Sequence, residues 1–453
     1  MVNQTIELFS YNPDPFLQPA SNNKLLTTIA ALNHLGSKFR FSTDFFYDYK
    51  NRRVVVRPKG DPTLTFEQLQ KSLMNVLEKV TSMNPHEIVV DASFFNPIPF
   101  TNGGDDEEFP DSWEWGNLQY SFSSVPSALS LEHNTLTFTV KGGEVAGQGL
   151  SIVLDEPFQS FAKDFFEFDT SLSRTLDCSN ANIISKESVT SYYKPLDNKI
   201  IVRGQLCAKK ESKQTLTVLD TYGFFLQAVS SASASSNGPK SVKIDYLSEE
   251  ERSSMFEFKE ECVYSDNILT VMNTTLQESD NMYAELFLRQ LGTFIKANSS
   301  LDVFPSITTR GIQVVKDILT SQFNLSPFTF FQNDGSGLSR HNLISPRSLV
   351  DALSAIYYKG AGGVSGETFV SLLPLGGRSG TLRNRFVDFP GIVSAKTGSL
   401  DGVSSLSGYI RNANYRDPIV FSIIVNQCPL SAKEMHQIID SIVTLFAFMN
   451  PKC

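Results

Sequence analysis

The sequence predicts a mixed α/β chain of the α+β kind, an antiparallel sheet with flanking helices, interrupted by a long β-rich insertion. Three observations predict it. From about residue 126 to 215 short alternating strands separated by turns dominate, as at 135–140, 151–154 and 199–204. After about residue 260 apolar residues recur at helical spacing, over 268–276, 283–294, 307–323, 346–358 and 366–373. The chain then closes with a hairpin, 391–398 turning through Ser399-Leu400-Asp401-Gly402 into 403–410. An apolar strand at 419–425 and an amphipathic helix at 435–448 follow.

Taken in order, residues 5–11 (Thr-Ile-Glu-Leu-Phe-Ser-Tyr) read as a strand and run into an Asn-Pro-Asp-Pro turn. Ser21 opens an apolar helix that Gly36 stops. Residues 39–49 and 53–57 are β in character, and Gly60-Asp61-Pro62-Thr63 is a turn. Helical periodicity over 66–82 (Leu69, Leu73, Val76, Leu77, Val80) and a buried strand at 88–91 complete a βαβ-like unit. Residues 96–117 read as a loop. Its acidic run, Asp105-Asp106-Glu107-Glu108, reads as solvated surface. Both tryptophans stand in Trp113-Glu114-Trp115-Gly116-Asn117, either as a local core or as a ligand wall. A helical stretch holding Tyr222, Phe225, Leu226 and Val229 leads into a serine-rich run at 230–239, a loop or a helix end, and 242–244 is a strand. No internal repeat is evident.

A chain of 453 residues is long enough for two or three domains with real cores. The net charge of −9 and the lack of a basic cluster exclude a nucleic-acid surface. No apolar run approaches the ~18–20 residues that cross a bilayer, so no transmembrane segment is expected. The chain opens Met-Val-Asn-Gln-Thr, which shows no signal peptide. Cys178, Cys207, Cys262, Cys428 and Cys453 lack metal-ligand spacing; Cys178 with Cys207 is a possible disulfide pair, and reduced thiols are the alternative. His34, His86, His133, His341 and His436 form no paired set, so no metal and no cofactor are expected. Asn3, Asn273, Asn298 and Asn324 head N-x-Ser/Thr triplets, which matter only in a eukaryotic secretory pathway.

The chemistry centres on Pro19-Ala20-Ser21-Asn22-Asn23-Lys24. In a helix, residues i and i+3 share a face, so Lys24 sits over Ser21 and can take its proton. The positive end of the helix favours charge developing at the serine. This is the layout of an activated serine nucleophile without histidine. Ser160/Lys163 and Ser191/Lys194 repeat the spacing, so the pattern alone does not single out Ser21. The order of motifs does: Ser21-x-x-Lys24, then Ser279-Asp280-Asn281, then Lys396-Thr397-Gly398, the ordered set of penicillin-recognising serine acyl-transferases. Ser-Asp-Asn also occurs at Ser265. Ser279 is preferred because it lies between two helices and runs into Met282-Tyr283-Ala284-Glu285.

Over nearly its whole length the chain resembles the D-alanyl-D-alanine carboxypeptidase/endopeptidase family of class C low-molecular-mass penicillin-binding proteins. Besides the three motifs, Gly60-Asp61-Pro62-Thr63, Trp113-Glu114-Trp115, the run from Asp334 to Asn342 and Val393 to Leu400 carry the resemblance. It implies a penicillin-binding-protein/β-lactamase-like transpeptidase domain with two nested inserted domains. Those are a serine DD-peptidase domain at 1–42 and 259–453, an α/β domain at 43–125 and 232–258, and a β-rich domain at 126–231. The resemblance implies that Ser21 attacks the penultimate D-alanine carbonyl of peptidoglycan peptides ending in D-Ala-D-Ala and that Lys24 accepts its proton. Ser279 relays a proton to the leaving amine beside Lys396, and Asn281 holds the substrate amide. Lys396 and Thr397 bind the terminal carboxylate, Gly398 lets substrate lie against the strand, and the amides of Ser21 and Ser399 form the oxyanion hole. β-Lactams would acylate the same serine.

In the family's side-chain pocket Arg340 matches an arginine and Phe122 an aromatic. Asn117 replaces the usual aspartate, and Asp401 stands where some members have glutamine, so the preferred stem peptide stays open. The resemblance also implies a periplasmic or extracellular location. The family normally carries a signal peptide, a helix and a first strand before the strand read at 5–11; here the start is truncated or misassigned, or the protein lacks an export signal. The alternatives to a serine DD-peptidase are a β-lactamase or esterase on the same scaffold and a catalytically degenerate peptide- or cell-wall-binding relative. No glutamate stands where class A β-lactamases activate the deacylating water. The oligomeric state is not encoded in any motif.

Overall fold

The structure, a computed structural model, describes residues 6–95, 109–110, 112–179, 187–194, 198–236, 238–255, 259–295 and 306–450. The acidic run at 105–108, Asn3, Asn298 and Cys453 lie outside them. The chain divides into two compact units. One holds residues 1–39, 110–113 and 267–453; the other holds 40–109 and 114–266.

The first unit is built around the Asn23–Leu35 helix, buried continuously from Asn23 to Leu32. A helix buried on all sides belongs to an interior, and its polar residues Asn23, Lys24 and Thr27 are hydrogen-bonded there. Each fully buried leucine or isoleucine contributes about 1.5–3 kcal/mol, and Leu25, Leu26, Ile29 and Leu32 are all at 0% exposure. Gly36, at φ +77°, ends the helix with its amide on Leu32 O. The expected hairpin is present: Val393–Leu400 pairs antiparallel with Val403–Ile410, which pairs with Ile419–Val425. The two sides of the central strand differ as a period of two requires. Leu406 and Ile410 pack with Ile439 and Val443 of the Ala432–Ala447 helix, whose capping box is Ser431 with Glu434. Ser405 and Tyr409 instead bond Pro19 O and Leu353 O. The helices Ile268–Gln277, Asn281–Gly292, Ile307–Phe323, Pro346–Lys359 and Gly366–Ser371 lie within two residues of their expected bounds.

One expectation fails in this unit. Residues 6–10 form no strand and are exposed, with Ile6 at 81% and Phe9 at 68%. Alternation makes a strand only where a ladder partner takes up the backbone groups, and among the described residues the first extended pairing is a single bridge, Leu17 with Ile344. The segment is held by ion pairs of Arg347 with Glu7 and Asp14, by the Arg347 amide on Pro13 O, and by Phe9 against Phe446.

In the second unit a five-stranded sheet runs Ser241–Asp245, Glu87–Asp91, Arg53–Pro58, Ser42–Asp48, Lys259–Tyr264. The first three strands are parallel and the last two pairings antiparallel. Val54-Val55-Val56 and Ile88-Val89-Val90 are buried on both faces, as parallel strands require. The Phe66–Val80 helix, capped by Thr65 and Gln68, makes the expected βαβ crossover. The β-rich stretch forms two separate three-stranded sheets. Cys178 and Cys207 form a disulfide, and the serine-rich run continues the Thr221–Ser235 helix. Among the described residues no helix is long and apolar enough to cross a membrane.

Candidate active site

Pro19 leads into a 3-10 turn at Ala20–Asn22 that continues into the Asn23–Leu35 helix. Ala20 is held at φ +47°, a conformation that costs a non-glycine residue about 1 kcal/mol or more. Ser21 was expected to open the helix as a cap, but no side chain caps either start, and its hydroxyl is left for Lys24. Lys24 Nζ lies 3.0 Å from Ser21 Oγ, 2.5 Å from Asn281 Oδ1 and 2.8 Å from Ser336 O. Lys24 is fully buried, and burial lowers its pKa to about 8 against the opposing pull of Asp334, Asp280 and Glu285.

Ser279-Asp280-Asn281 forms a tight helix entry. Ser279 sits at φ +62°, Asp280 caps the Asn281–Gly292 helix by accepting from Tyr283 N, and Asn281 is the first helical residue. Ser279 Oγ accepts from Lys396 Nζ at 2.8 Å; the same nitrogen donates to Thr397 O at 2.9 Å. Burial and the charge of Lys24 hold Lys396 well below its ordinary value. Gly398 explains its own identity. A Cβ there would lie 2.8 Å from Pro19 O, 2.9 Å from Ser21 N and 2.3 Å from Ser405 Oγ, so the Val393–Leu400 strand touches the nucleophile turn only because this residue is glycine. The Ser279 side chain, both lysines, Asn281 and Ser21 thus converge within one unit.

The other two Ser-x-x-Lys matches do not form this contact. Ser160 Oγ donates to Glu156, and Ser191 is on a strand. Ser265 serves the backbone, accepting from Phe41 N, while Asn267 caps the next helix. Arg340 Nη1 donates to the Asp401 carbonyl at 3.0 Å, which brings those two candidates together. Asn117 and Phe122 belong to the second unit. There Asn117 Nδ2 donates to Glu114, and Phe122 stacks on Tyr120 with centroids 5.5 Å apart. Ser399 Oγ lies 3.5 Å from His436 Nε2.

Several residues of this centre carried no role in the sequence reading. Asp334 is a buried hub: it accepts from Gly337 N, Ser339 N, Asn342 Nδ2 and the Trp113 indole. It thereby shapes the loop whose Ser336 carbonyl meets Lys24. Gly337, at φ +88°, is needed there because a Cβ would fall 1.9 Å from Ala20 O. Glu285 accepts from the amides of Gly335 and Ser336. Thr381 Oγ1 accepts from the Thr397 hydroxyl at 2.7 Å. An aspartate and an asparagine bracketing Gly-Ser-Gly was the available signal for the loop; a lone glutamate or threonine gives none.

The pattern of the D-Ala-D-Ala carboxypeptidase 3 (S13) family matches residues 1–448. The chain belongs to this family. By that membership it is a serine-type D-Ala-D-Ala carboxypeptidase. Penicillin-sensitive carboxypeptidase A of Dictyostelium discoideum is 31% identical over 458 residues, covering 97% of this chain and 83% of the relative. A D-alanyl-D-alanine carboxypeptidase of Actinomadura sp. (strain R39) is 27% identical, covering 93% and 75%. Penicillin binding protein 4 of Haemophilus influenzae shares the fold, with a TM-score of 0.77 at 21% identity over 98% of this chain and 94% of that one.

Proposed function

We propose that the chain cleaves peptidoglycan stem peptides after a D-alanine, at the terminal D-Ala-D-Ala bond as a carboxypeptidase or at an internal D-alanyl bond as an endopeptidase, through an acyl-enzyme on Ser21. The observation that carries this reading is the environment of Lys24. A neutral amine has two N–H donors and one lone pair. Asn281 Oδ1 and Ser336 O take both donors, so the lone pair faces Ser21 Oγ at 3.0 Å. With its pKa lowered to about 8, the amine is a base matched to neutral or mildly alkaline pH.

In this mechanism Lys24 takes the Ser21 proton as Oγ adds to the penultimate carbonyl. The amides of Ser21 and Ser399 stabilise the oxyanion, worth about 3–4 kcal/mol in comparable sites. The leaving D-alanine amine receives a proton through Ser279, which Lys396 contacts. Lys396 and Thr397 meet the terminal carboxylate, and Gly398 gives the substrate room along the strand. Asn281 also holds the substrate amide. Water then releases the acyl group. Arg340 and Asp401 fit a subsite for the far end of the peptide; Asn117 and Phe122 are assigned to it on the family resemblance alone.

β-Lactams are inhibitors in this reading, consistent with the relative named for penicillin sensitivity. A peptidoglycan substrate implies action outside the cytoplasm. The second unit reads as two nested domains divided near residues 126 and 231, in keeping with its separate sheets. Incubation with D-Ala-D-Ala pentapeptide is expected to release D-alanine and leave penicillin-treated protein acylated. Acylation with no turnover of any D-Ala-D-Ala peptide would replace the hydrolase with a binding protein.

A further inference from the structure

Glu285 takes no part in the steps above, yet it is fully buried beside them. It follows Asn281 by one turn of the Asn281–Gly292 helix, so the two side chains leave the same face. Asn281 touches the Lys24 amine directly. Glu285 reaches it through one residue, Ser336, whose amide it holds: Oε1 accepts from Ser336 N at 2.7 Å and Gly335 N at 3.0 Å, and Oε2 accepts from Gly335 N at 2.9 Å. The Ser336 carbonyl then accepts from Lys24 Nζ at 2.8 Å. Placing a carboxyl in a dry interior costs free energy that an uncharged acceptor would avoid, so amide satisfaction alone does not account for a glutamate here.

We propose that Glu285 is a positioning residue of the acyl-transfer centre: it fixes the Ser336 carbonyl that aims the Lys24 lone pair at Ser21, and its charge sets how readily Lys24 gives up a proton. This rests on the reading of Ser21 as nucleophile and Lys24 as base. The aiming follows from donor counting. With the Ser336 carbonyl released, one Lys24 N–H is free to turn toward Ser21 Oγ, and the lone pair then points elsewhere. The charge effect follows from the surroundings. Lys24 faces Asp334, Asp280 and Glu285, which favour its ammonium form, and Lys396 nearby. Glu285 itself faces Asp334 and acts on Lys24, with buried Arg289 on its own helix. Burial and Asp334 push its carboxyl up to about 7, so its charge changes within the working range.

Two variants of the full chain separate the two roles. Glu285→Gln removes the charge while its Oε1 can still accept from both amides. Glu285→Asp keeps the charge and withdraws the carboxylate by one methylene. The rate constant for acylation by a labelled penicillin is measured from pH 5.5 to 9.5, beside the melting temperature and the native and Ser21→Ala proteins. E285Q is expected to keep the plateau within about threefold and to raise the rate on the acid limb between about pH 7 and 8, the two profiles converging below about pH 7, where native Glu285 is itself protonated. E285D is expected to leave the limb in place and to lower the plateau about 100-fold, as for a misplaced catalytic group. An E285Q limb that is not raised, an E285D plateau at the native value, or losses that are equal at every pH and follow the folded fraction overturn the proposal. If one variant does not fold, the other decides by its own readout. Failure of the underlying reading is separate: native protein would then not be labelled on Ser21 at all.

Discussion

Replacing Lys24 by methionine divides the chemistry of the site from its stability. The folded protein holds Lys24 near pKa 8 against an ordinary 10.5, chiefly through burial. One pKa unit is about 1.4 kcal/mol, so at pH 7, with the amine charged in both states, the buried ammonium costs about 3 kcal/mol. Methionine fills similar space without charge and removes that cost. It also withdraws a donor from Asn281 Oδ1 and Ser336 O, at about 1–3 kcal/mol each. The opposing terms nearly cancel, and K24M is expected within about 3 kcal/mol of the native protein at pH 7. Acylation is expected to fall about 10²–10⁴-fold, the span of general-base contributions. The pH dependence is sharper. Between pH 8 and 10.5 the unfolded lysine keeps its proton and the folded one loses it, so the unfolded state binds more protons and native stability rises with pH. K24M lacks this term, so native stability gains about 3 kcal/mol on the variant across that window. Urea unfolding at pH 7, 8.5 and 10, with single-turnover penicillin acylation, measures both. Acylation of K24M within tenfold of native, or a stability difference that stays flat or falls with pH, refutes the assignment of Lys24 as a buried neutral base.

The native acylation rate is expected to fall below about pH 8 as Lys24 gains a proton, approaching tenfold per unit, in a stopped-flow pH profile. Gly398→Ala drives a methyl into Pro19 O and Ser21 N; it is expected to cost about 1–3 kcal/mol by urea unfolding and to slow acylation about 100-fold. Cys178→Ser opens a crosslink spanning 29 residues and is expected to cost the second unit about 3–4 kcal/mol, read by its melting transition with and without reductant.

Much of this centre was legible because its parts are local. Ser21 and Lys24 share a helical face by spacing, the Ser279 motif enters a helix, and the Lys396 motif lies on a strand of a hairpin whose loop is the two residues Asp401-Gly402. Each is a short-range pattern, and their order along the chain singled out Ser21 from two equal matches. What stayed hidden depends on long-range contacts. Asp334 collects donors from Trp113, Ser339 and Asn342, and Glu285 acts through the backbone of a loop 50 residues away; neither leaves a periodic trace. The strand read at 5–11 failed for the converse reason: its alternation is real, but no ladder partner receives it among the described residues. Asn117 and Phe122 were assigned by resemblance, and no local pattern could have located them.

The central claim is that Ser21, activated by Lys24, carries the acyl group. Mass spectrometry of the native and Ser21→Ala proteins after exposure to penicillin, alongside D-alanine release from a D-Ala-D-Ala peptide, tests it most directly. The account predicts one acyl adduct on the peptide containing Ser21, steady D-alanine release by the native protein, and neither in S21A. An adduct or D-alanine release that persists in S21A would contradict it.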